Sequence, residues 1–150
     1  MDKVIFMGKT GSGKTTLCQK LNELELKYKK TQAVELYDNA IDTPGEYLEN
    51  RHYYSALIMT AVDAKIIAIV GDPTVDENFI PPAFTGTFAK EVIGIITKIG
   101  LVEKQADIDK VEMRLKEAGV SKIFKVDTVD EIGIRELFDY LDSVLTDKSN

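Results

Sequence analysis

The chain is poor in the residues that build disulfide-rich and zinc-bound folds. It carries one cysteine, Cys18, and one histidine, His52. A lone cysteine excludes an internal disulfide, and a reducing compartment is expected. One cysteine with one histidine cannot make a metal site of the Cys/His kind. No 18-residue apolar run occurs, so no integral membrane segment is expected. No basic-then-apolar leader opens the chain, and a cytoplasmic rather than exported protein is expected. An excess of positive charge is also missing. The net charge is −6, which speaks against nucleic acid or an anionic membrane as a partner. Internal repeats and low-complexity linkers are absent.

What is present suits a globular enzyme-sized unit. With 150 residues and 44% hydrophobic content, residues 1–150 are expected to form one domain with its own core. Val4 to Met7 predicts a first strand, and Thr15 to Leu26 a helix with Leu17, Leu21 and Leu24 on one side. Cys18 lies among them, as core filler or as a redox group. Ala33 to Asp38 and the end of Asn39 to Asp42 predict strands. Tyr47 to Val62 predicts a helix with Leu48, Tyr54, Leu57, Ile58 and Ala61 as its apolar stripe. Lys65 to Val70 and Val92 to Ile96 are β-branched runs, the pattern of strands buried on both faces. Between them, Pro73 to Phe88 reads as loop. The apolar stretch Phe79 to Phe88 is either a partner surface or tucked against the core. Gln105 to Ala118 predicts a helix closed by Gly119. Lys122 to Val126 predicts a strand, and Ile134 to Leu145 a last helix. Strands alternating with helices imply an α/β fold, a mostly parallel sheet with helices on both faces.

One stretch carries chemistry by its spacing. GKTGSGKT, Gly8 to Thr15, fits G-x-x-x-x-G-K-[ST], the phosphate-binding P-loop. Its glycines let the backbone curl so that successive N–H groups point at phosphate oxygens. The expected strand before it and helix after it are the required setting, and the helix N-terminus adds its dipole. The candidate nucleotide-binding residues are Gly8, Lys9, Thr10, Gly11, Ser12, Gly13, Lys14, Thr15 and Thr16. Lys14 can reach the β- and γ-phosphates, and the Thr15 hydroxyl can ligate Mg²⁺. Lys9 is either a solvated charge or a further phosphate contact.

A second signal stands at the end of a predicted strand: DTPGEY, Asp42 to Tyr47. Asp42 can hold a Mg²⁺-bound water. Gly45 can offer its N–H to a γ-phosphate. Before it, Thr31 stands in a polar segment, where it could complete the metal shell or simply begin a strand.

Together these motifs resemble the Ras-like branch of P-loop GTPases. More closely, the run KKTQAVELYDNAIDTPGEYLENRHYYSALIMTAVDA, Lys29 to Ala64, with the loop at the N-terminus, resembles the ethanolamine-utilisation EutP and propanediol-utilisation PduV family. The resemblance spans nearly the whole chain. It implies a three-layer Ras-like P-loop NTPase fold, binding of ATP or GTP with Mg²⁺, and a link to bacterial microcompartment pathways. Microcompartment shell proteins or pathway enzymes are the partners it implies. An acetate kinase activity attributed to the ethanolamine branch would make acetate the phosphoryl acceptor. Carried over, Thr15, Thr31 and Asp42 are the metal residues, and Gly45 meets the γ-phosphate. Glu46 stands where many Ras-like enzymes have a glutamine that orients the attacking water. It can act as general base with Lys14 as the other catalytic residue, or be a solvated carboxylate at a helix start.

The base-recognition stretch departs from the family of GTPases. Guanine-specific members carry N-K-x-D after the strand, and here the positions read Thr97, Lys98, Ile99 and Gly100. Thr97 can still bond the P-loop, and Lys98 can lie along a base. Gly100 replaces the aspartate that would accept two guanine N–H groups, a loss worth roughly 2–4 kcal/mol. Asp107 and Asp109 stand too far along to replace it simply. The Thr128 N–H can meet a base oxygen from the other loop, where Asp127 stands in an ambiguous position. Arg51, His52 and Asp72 are each either site residues or ordinary surface and turn residues. Three readings stay open: a nucleotide switch, a phosphotransferase acting on a small carboxylate, and a nucleotide-binding scaffold.

Overall fold

The structure, a computed structural model, describes residues 3–9, 11–29, 40–42, 54–75 and 82–145. Nine regular elements follow in chain order among them. They are β1 (Lys3–Gly8), α1 (Lys14–Lys29), β2 (Ala40–Asp42), α2 (Tyr54–Thr60) and β3 (Ala64–Gly71). Then come β4 (Glu91–Ile96), α3 (Gln105–Ala118), β5 (Ile123–Lys125) and α4 (Ile134–Leu145).

The five strands form one parallel sheet in the order β2-β1-β3-β4-β5. Their alternation sorts side chains onto two faces. Val4 and Phe6 of β1, Ile66, Ala68 and Val70 of β3, and Ile93 and Ile95 of β4 pack with Leu17, Cys18 and Leu21 of α1 and with Leu137, Phe138 and Leu141 of α4. Ile5, Met7, Ile67, Ile69 and Ile96 pack on the other face with Leu57 of α2 and Ile108, Val111 and Leu115 of α3. This is the expected three-layer arrangement. The near-continuous apolar runs of β3 and β4 are explained by it, since each strand is covered on both sides. Cys18 is buried in the first layer, consistent with the core-filler reading.

Two details differ from the sequence pattern. Ile58 was expected in the apolar stripe of its helix, yet it is 44% exposed while Leu57 and Ala61 are buried. Leu57 and Ala61 stand four apart and share a face, whereas Ile58 lies about 100° round the axis. The helix also passes into a 3-10 turn at Ala61–Asp63, which ends the stripe early. The expected strand Lys122 to Val126 is shorter, because the chain leaves the sheet for a small antiparallel bridge between Asp127 and Ile132. The remaining expected elements stand within a few residues of their predicted bounds. The strand at 33–38 and the helix portion at 47–53 lie outside the described residues.

Of the stretch Phe79 to Phe88, the described part is docked on the body. Phe84 and Phe88 are buried and meet edge to face at 5.5 Å. The Ala83 N–H bonds the Glu117 carbonyl at the end of α3 at 2.9 Å.

The register places one edge of the sheet in common. Gly8 pairs with Asp42 and with Val70, Gly71 pairs with Ile96, and Ile96 pairs with Lys125. The strands therefore end together, and β1 lies between β2 and β3, where the strand order reverses. The crevice outside strand C-termini at such a reversal is where α/β sheets bind ligands.

Candidate functional site

Each candidate residue in the described region ends a strand or follows one. The loop after β1 turns tightly. The Ser12 N–H bonds the Lys9 carbonyl at 3.1 Å, and α1 is under way by the Leu17 N–H to Gly13 carbonyl bond at 2.9 Å. Gly11 and Gly13 hold φ of 86° and 103°, a left-handed backbone that side-chain-bearing residues adopt at a cost. This explains why glycine is needed at both places.

Lys14 opens α1 and is only 4% exposed. Its ammonium is folded under its own loop. Nζ donates to the Gly8 carbonyl at 2.7 Å and to the Lys9 carbonyl at 2.8 Å. Ser12 Oγ stands 3.5 Å away. A buried cation is costly without partners, and here the loop's own carbonyls supply them. Thr15 and Thr16, on the next positions of the first turn, are exposed.

The turn after β4 braces this loop. Thr97, 2% exposed, donates its hydroxyl to the Ser12 carbonyl at 2.6 Å. Its backbone N–H bonds the Gly71 carbonyl at 3.0 Å, so β3 and β4 are joined where they end. Lys98 adopts a left-handed φ of 56°. That conformation sends its ammonium to the Gly11 carbonyl at 2.8 Å and to Asp72 Oδ2 at 2.7 Å. Asp72 follows β3, is buried, and also accepts from the Thr74 N–H at 2.9 Å. Burial pushes its carboxyl up. The Lys98 ammonium and the Thr74 donors outweigh this and hold it below the usual carboxylate range. Asp72 thus caps its own turn and also reaches the phosphate loop through Lys98.

The turn after β5 completes the crevice. Asp127 is 3% exposed, and its Oδ1 accepts from the N–H groups of Val129 at 2.9 Å and Asp130 at 3.2 Å. Thr128 beside it is half-buried. The β4 turn and this turn are linked by the Ile99 N–H to Val126 carbonyl bond at 3.3 Å.

The structure therefore brings together Gly8, Lys9, Gly11, Ser12, Gly13, Lys14, Thr15, Thr16, Thr97, Lys98 and Thr128 around one sheet edge. Asp42 ends β2 beside Gly8. Thr10, Thr31, Gly45, Glu46, Arg51 and His52 lie outside the described residues. Two features were not legible as site elements in sequence: the Asp72–Lys98 ion pair, and the seating of Asp127 against Gly100. A lysine and an aspartate that each follow a strand were the available signal, but their pairing depends on strand order.

The donor types suit a hard cation. Among the described residues no group of three or more His, Cys, Asp or Glu side chains is gathered that could hold a metal. An exposed first-turn hydroxyl at Thr15, with a strand-end aspartate at position 42 beside the loop, instead fits Mg²⁺. That ion takes few protein oxygens and fills its shell with phosphate oxygens and water.

A parallel α/β sheet with this loop after its first strand defines a P-loop nucleotide-binding protein of GTPase-like fold. Solved structures agree on the fold. A probable GTP-binding protein EngB superposes with a TM-score of 0.61 at 16% identity, over 95% of this chain and 98% of its own. The translation elongation factor SelB of Methanococcus maripaludis superposes with a TM-score of 0.59 at 22% identity, over 98% of this chain and 36% of its own. Sequence comparison is more specific. The family described as ethanolamine utilisation - propanediol utilisation, PduV-EutP, matches residues 1–143. The propanediol utilization protein PduV of Citrobacter freundii is 40% identical over 143 residues, 95% of either chain. The probable acetate kinase EutP of Escherichia coli is 33% identical over 147 residues, 96% of this chain and 91% of its own. The chain belongs to the PduV-EutP family. Among the described residues, no helix is long and apolar enough to cross a membrane.

Proposed function

We propose that this protein binds a nucleoside triphosphate with Mg²⁺ and cleaves or transfers its γ-phosphoryl group, serving ethanolamine or propanediol utilisation in the cytoplasm. The observation that carries the reading is the P-loop itself, with the Lys14 ammonium buried under it and held on the Gly8 and Lys9 carbonyls. A cation kept largely from solvent beneath a phosphate-binding loop is suited to neutralise β- and γ-phosphate charge. In this reading Lys14 moves from the loop carbonyls to the phosphates. The curled backbone from Gly8 to Thr16 cradles them. Thr15, Thr31 and Asp42 would hold Mg²⁺, which when bound would supply positive charge to the phosphate oxygens. The Gly45 N–H meets the γ-phosphate, and Glu46 takes a proton from the attacking group. Thr97 and Lys98 keep the loop in register, and the Thr128 N–H faces the base.

A second reading is favoured by the relatives named probable acetate kinase. An acetate oxygen attacks the γ-phosphorus, the bond to the β–γ bridging oxygen breaks, and acetyl phosphate and nucleoside diphosphate leave. Positioning and charge neutralisation are what a P-loop supplies for either acceptor. Microcompartment shell or pathway proteins are the proposed partners, as the family's pathways suggest.

The test is nucleoside diphosphate release with Mg²⁺ and ATP or GTP, with and without acetate, for the native protein and Lys14→Ala. Acetate-stimulated release, with acetyl phosphate trapped as hydroxamate, assigns the kinase. Acetate-independent release assigns a hydrolase. Release from Lys14→Ala should fall by about 100-fold or more, the scale of losing a transition-state cation. Native-level release from that variant, or no binding of either nucleotide, would sink the proposal.

A further inference from the structure

The site has a carboxylate in an unexpected place. Position 100, where guanine-specific relatives of this fold carry the base-reading aspartate, is glycine. A Cβ built on Gly100 would lie 1.9 Å from Asp127 Oδ2 and 3.2 Å from its Cγ. The Asp127 carboxylate therefore fills the volume into which a side chain at position 100 would project. It enters from the turn after β5 rather than from the turn after β4. The two positions exclude each other: Asp127 in this seat requires glycine at 100.

The carboxylate is held and half satisfied. Oδ1 takes the N–H groups of Val129 and Asp130, which clamps the side chain to its own turn. Oδ2, in a residue that is almost wholly buried, accepts no hydrogen bond from the described residues. Asp127 Oδ2 is not sealed from solvent, so it stays open to a donor from outside the chain. Its place is consistent with that. The turn Thr97 to Gly100 touches the phosphate loop at one end, through the Thr97 hydroxyl on the Ser12 carbonyl at 2.6 Å. At its other end it touches Asp127. A ligand lying along this turn would put phosphates at Lys14 and its far end at Oδ2.

We propose that Asp127 is the base-reading residue of this protein, and that it selects guanine nucleotides in place of the missing aspartate at position 100. This rests on the nucleotide reading above and names its substrate class. Guanine presents two adjacent N–H donors on one edge, which suit a carboxylate acceptor. Adenine presents a donor beside a ring-nitrogen lone pair on the equivalent edge. That lone pair would face the carboxylate and leave it unpaired, the arrangement by which buried polar sites reject analogues.

The experiment titrates fluorescently labelled GDP, ADP and xanthosine diphosphate, with Mg²⁺, against four proteins: native, Asp127→Asn, Asp127→Ser with Gly100→Asp, and Lys14→Ala. The native protein should favour GDP over ADP by about 10- to 100-fold, the range for one charge-assisted acceptor. Asp127→Asn keeps an oxygen for the Val129 and Asp130 N–H groups and so preserves the turn. It replaces Oδ2 by a donor, and should lose the GDP preference and gain affinity for xanthosine diphosphate, whose edge offers an oxygen there. The double substitution returns a carboxylate to the same volume from the other turn and should restore GDP preference. A native GDP-to-ADP ratio near one, or a ratio that Asp127→Asn leaves unchanged, overturns the proposal. In those outcomes, diphosphate affinity that still depends on Lys14 leaves the nucleotide reading standing. Binding of no diphosphate by the native protein overturns both.

Discussion

Replacing Thr97 by valine isolates the one hydroxyl that ties the β4 turn to the phosphate loop. Valine has nearly the same shape, so the cavity term is small and the hydrogen bond is what is lost. Thr97 Oγ1 donates to the Ser12 carbonyl at 2.6 Å in a fully buried setting, with the Gly71 carbonyl at 3.3 Å as a weaker second acceptor. A buried hydrogen bond contributes about 1 kcal/mol net, and an acceptor left dry beside a methyl group adds about 1 kcal/mol more. The expected loss is therefore about 1–2 kcal/mol. With a urea slope of about 2 kcal/mol per molar for a domain of this size, the denaturation midpoint should fall by about 0.5–1 M with the slope unchanged. Thr97→Ser keeps the hydroxyl and loses one methyl group, worth about 0.8 kcal/mol, so its midpoint should fall less. Nucleotide affinity separates the two variants further. Serine should retain it, and valine should weaken it by loosening the loop at Ser12. If serine proved as damaging as valine in both assays, the brace would be packing and not a hydrogen bond.

Acid stability should depend on Asp72. Its carboxyl is held below its ordinary value of 3.8 by Lys98 and Thr74, against burial. A depressed carboxyl stabilises the folded state above its unfolded value, and that contribution disappears as pH falls through the folded value. The urea midpoint of Asp72→Asn, measured from pH 6 to pH 3 (about neutral to below the ordinary carboxylate range), should be lower than native at the top and approach it at the bottom. A constant gap would refute the linkage. Gly94→Ala tests the packing of α3 on the sheet: its Cβ would stand 2.9 Å from Leu115 Cδ1. Overpacking of this kind should cost about 1–3 kcal/mol. Adding Leu115→Val should recover part of it, and strictly additive losses in the double variant would show that the two residues do not meet.

Much of the fold was legible because its signals are local. The two-sided burial of β3 and β4 is written in their unbroken β-branched runs. The α3 helix and its Gly119 stop are set within one segment, where the Gly119 N–H bonds the Leu115 and Lys116 carbonyls. The exposure of Ile58 was less legible, because it depends on where α2 stops, and helix ends are decided by neighbouring packing. In the site, the Thr97 contact with the P-loop was expected and is present. Lys98 was expected to lie along a base by its aliphatic stem, and its ammonium at the end of that stem is held by Asp72 and the Gly11 carbonyl.

By itself the sequence determined the phosphate loop, the alternation of strands and helices, and the absence of a side chain at position 100. Each depends on residue types at fixed spacing along one stretch of chain. Only the tertiary structure decided that Asp72 meets Lys98, that Thr97 holds Ser12, and that Asp127 occupies the space beside Gly100. Those contacts join turns that follow different strands. They exist because the sheet order sets β3 beside β4 and β4 beside β5, with their ends in register. Periodicity within a segment carries no information about which strand lies next to it, so the meeting of two turns is decided by packing of the whole sheet.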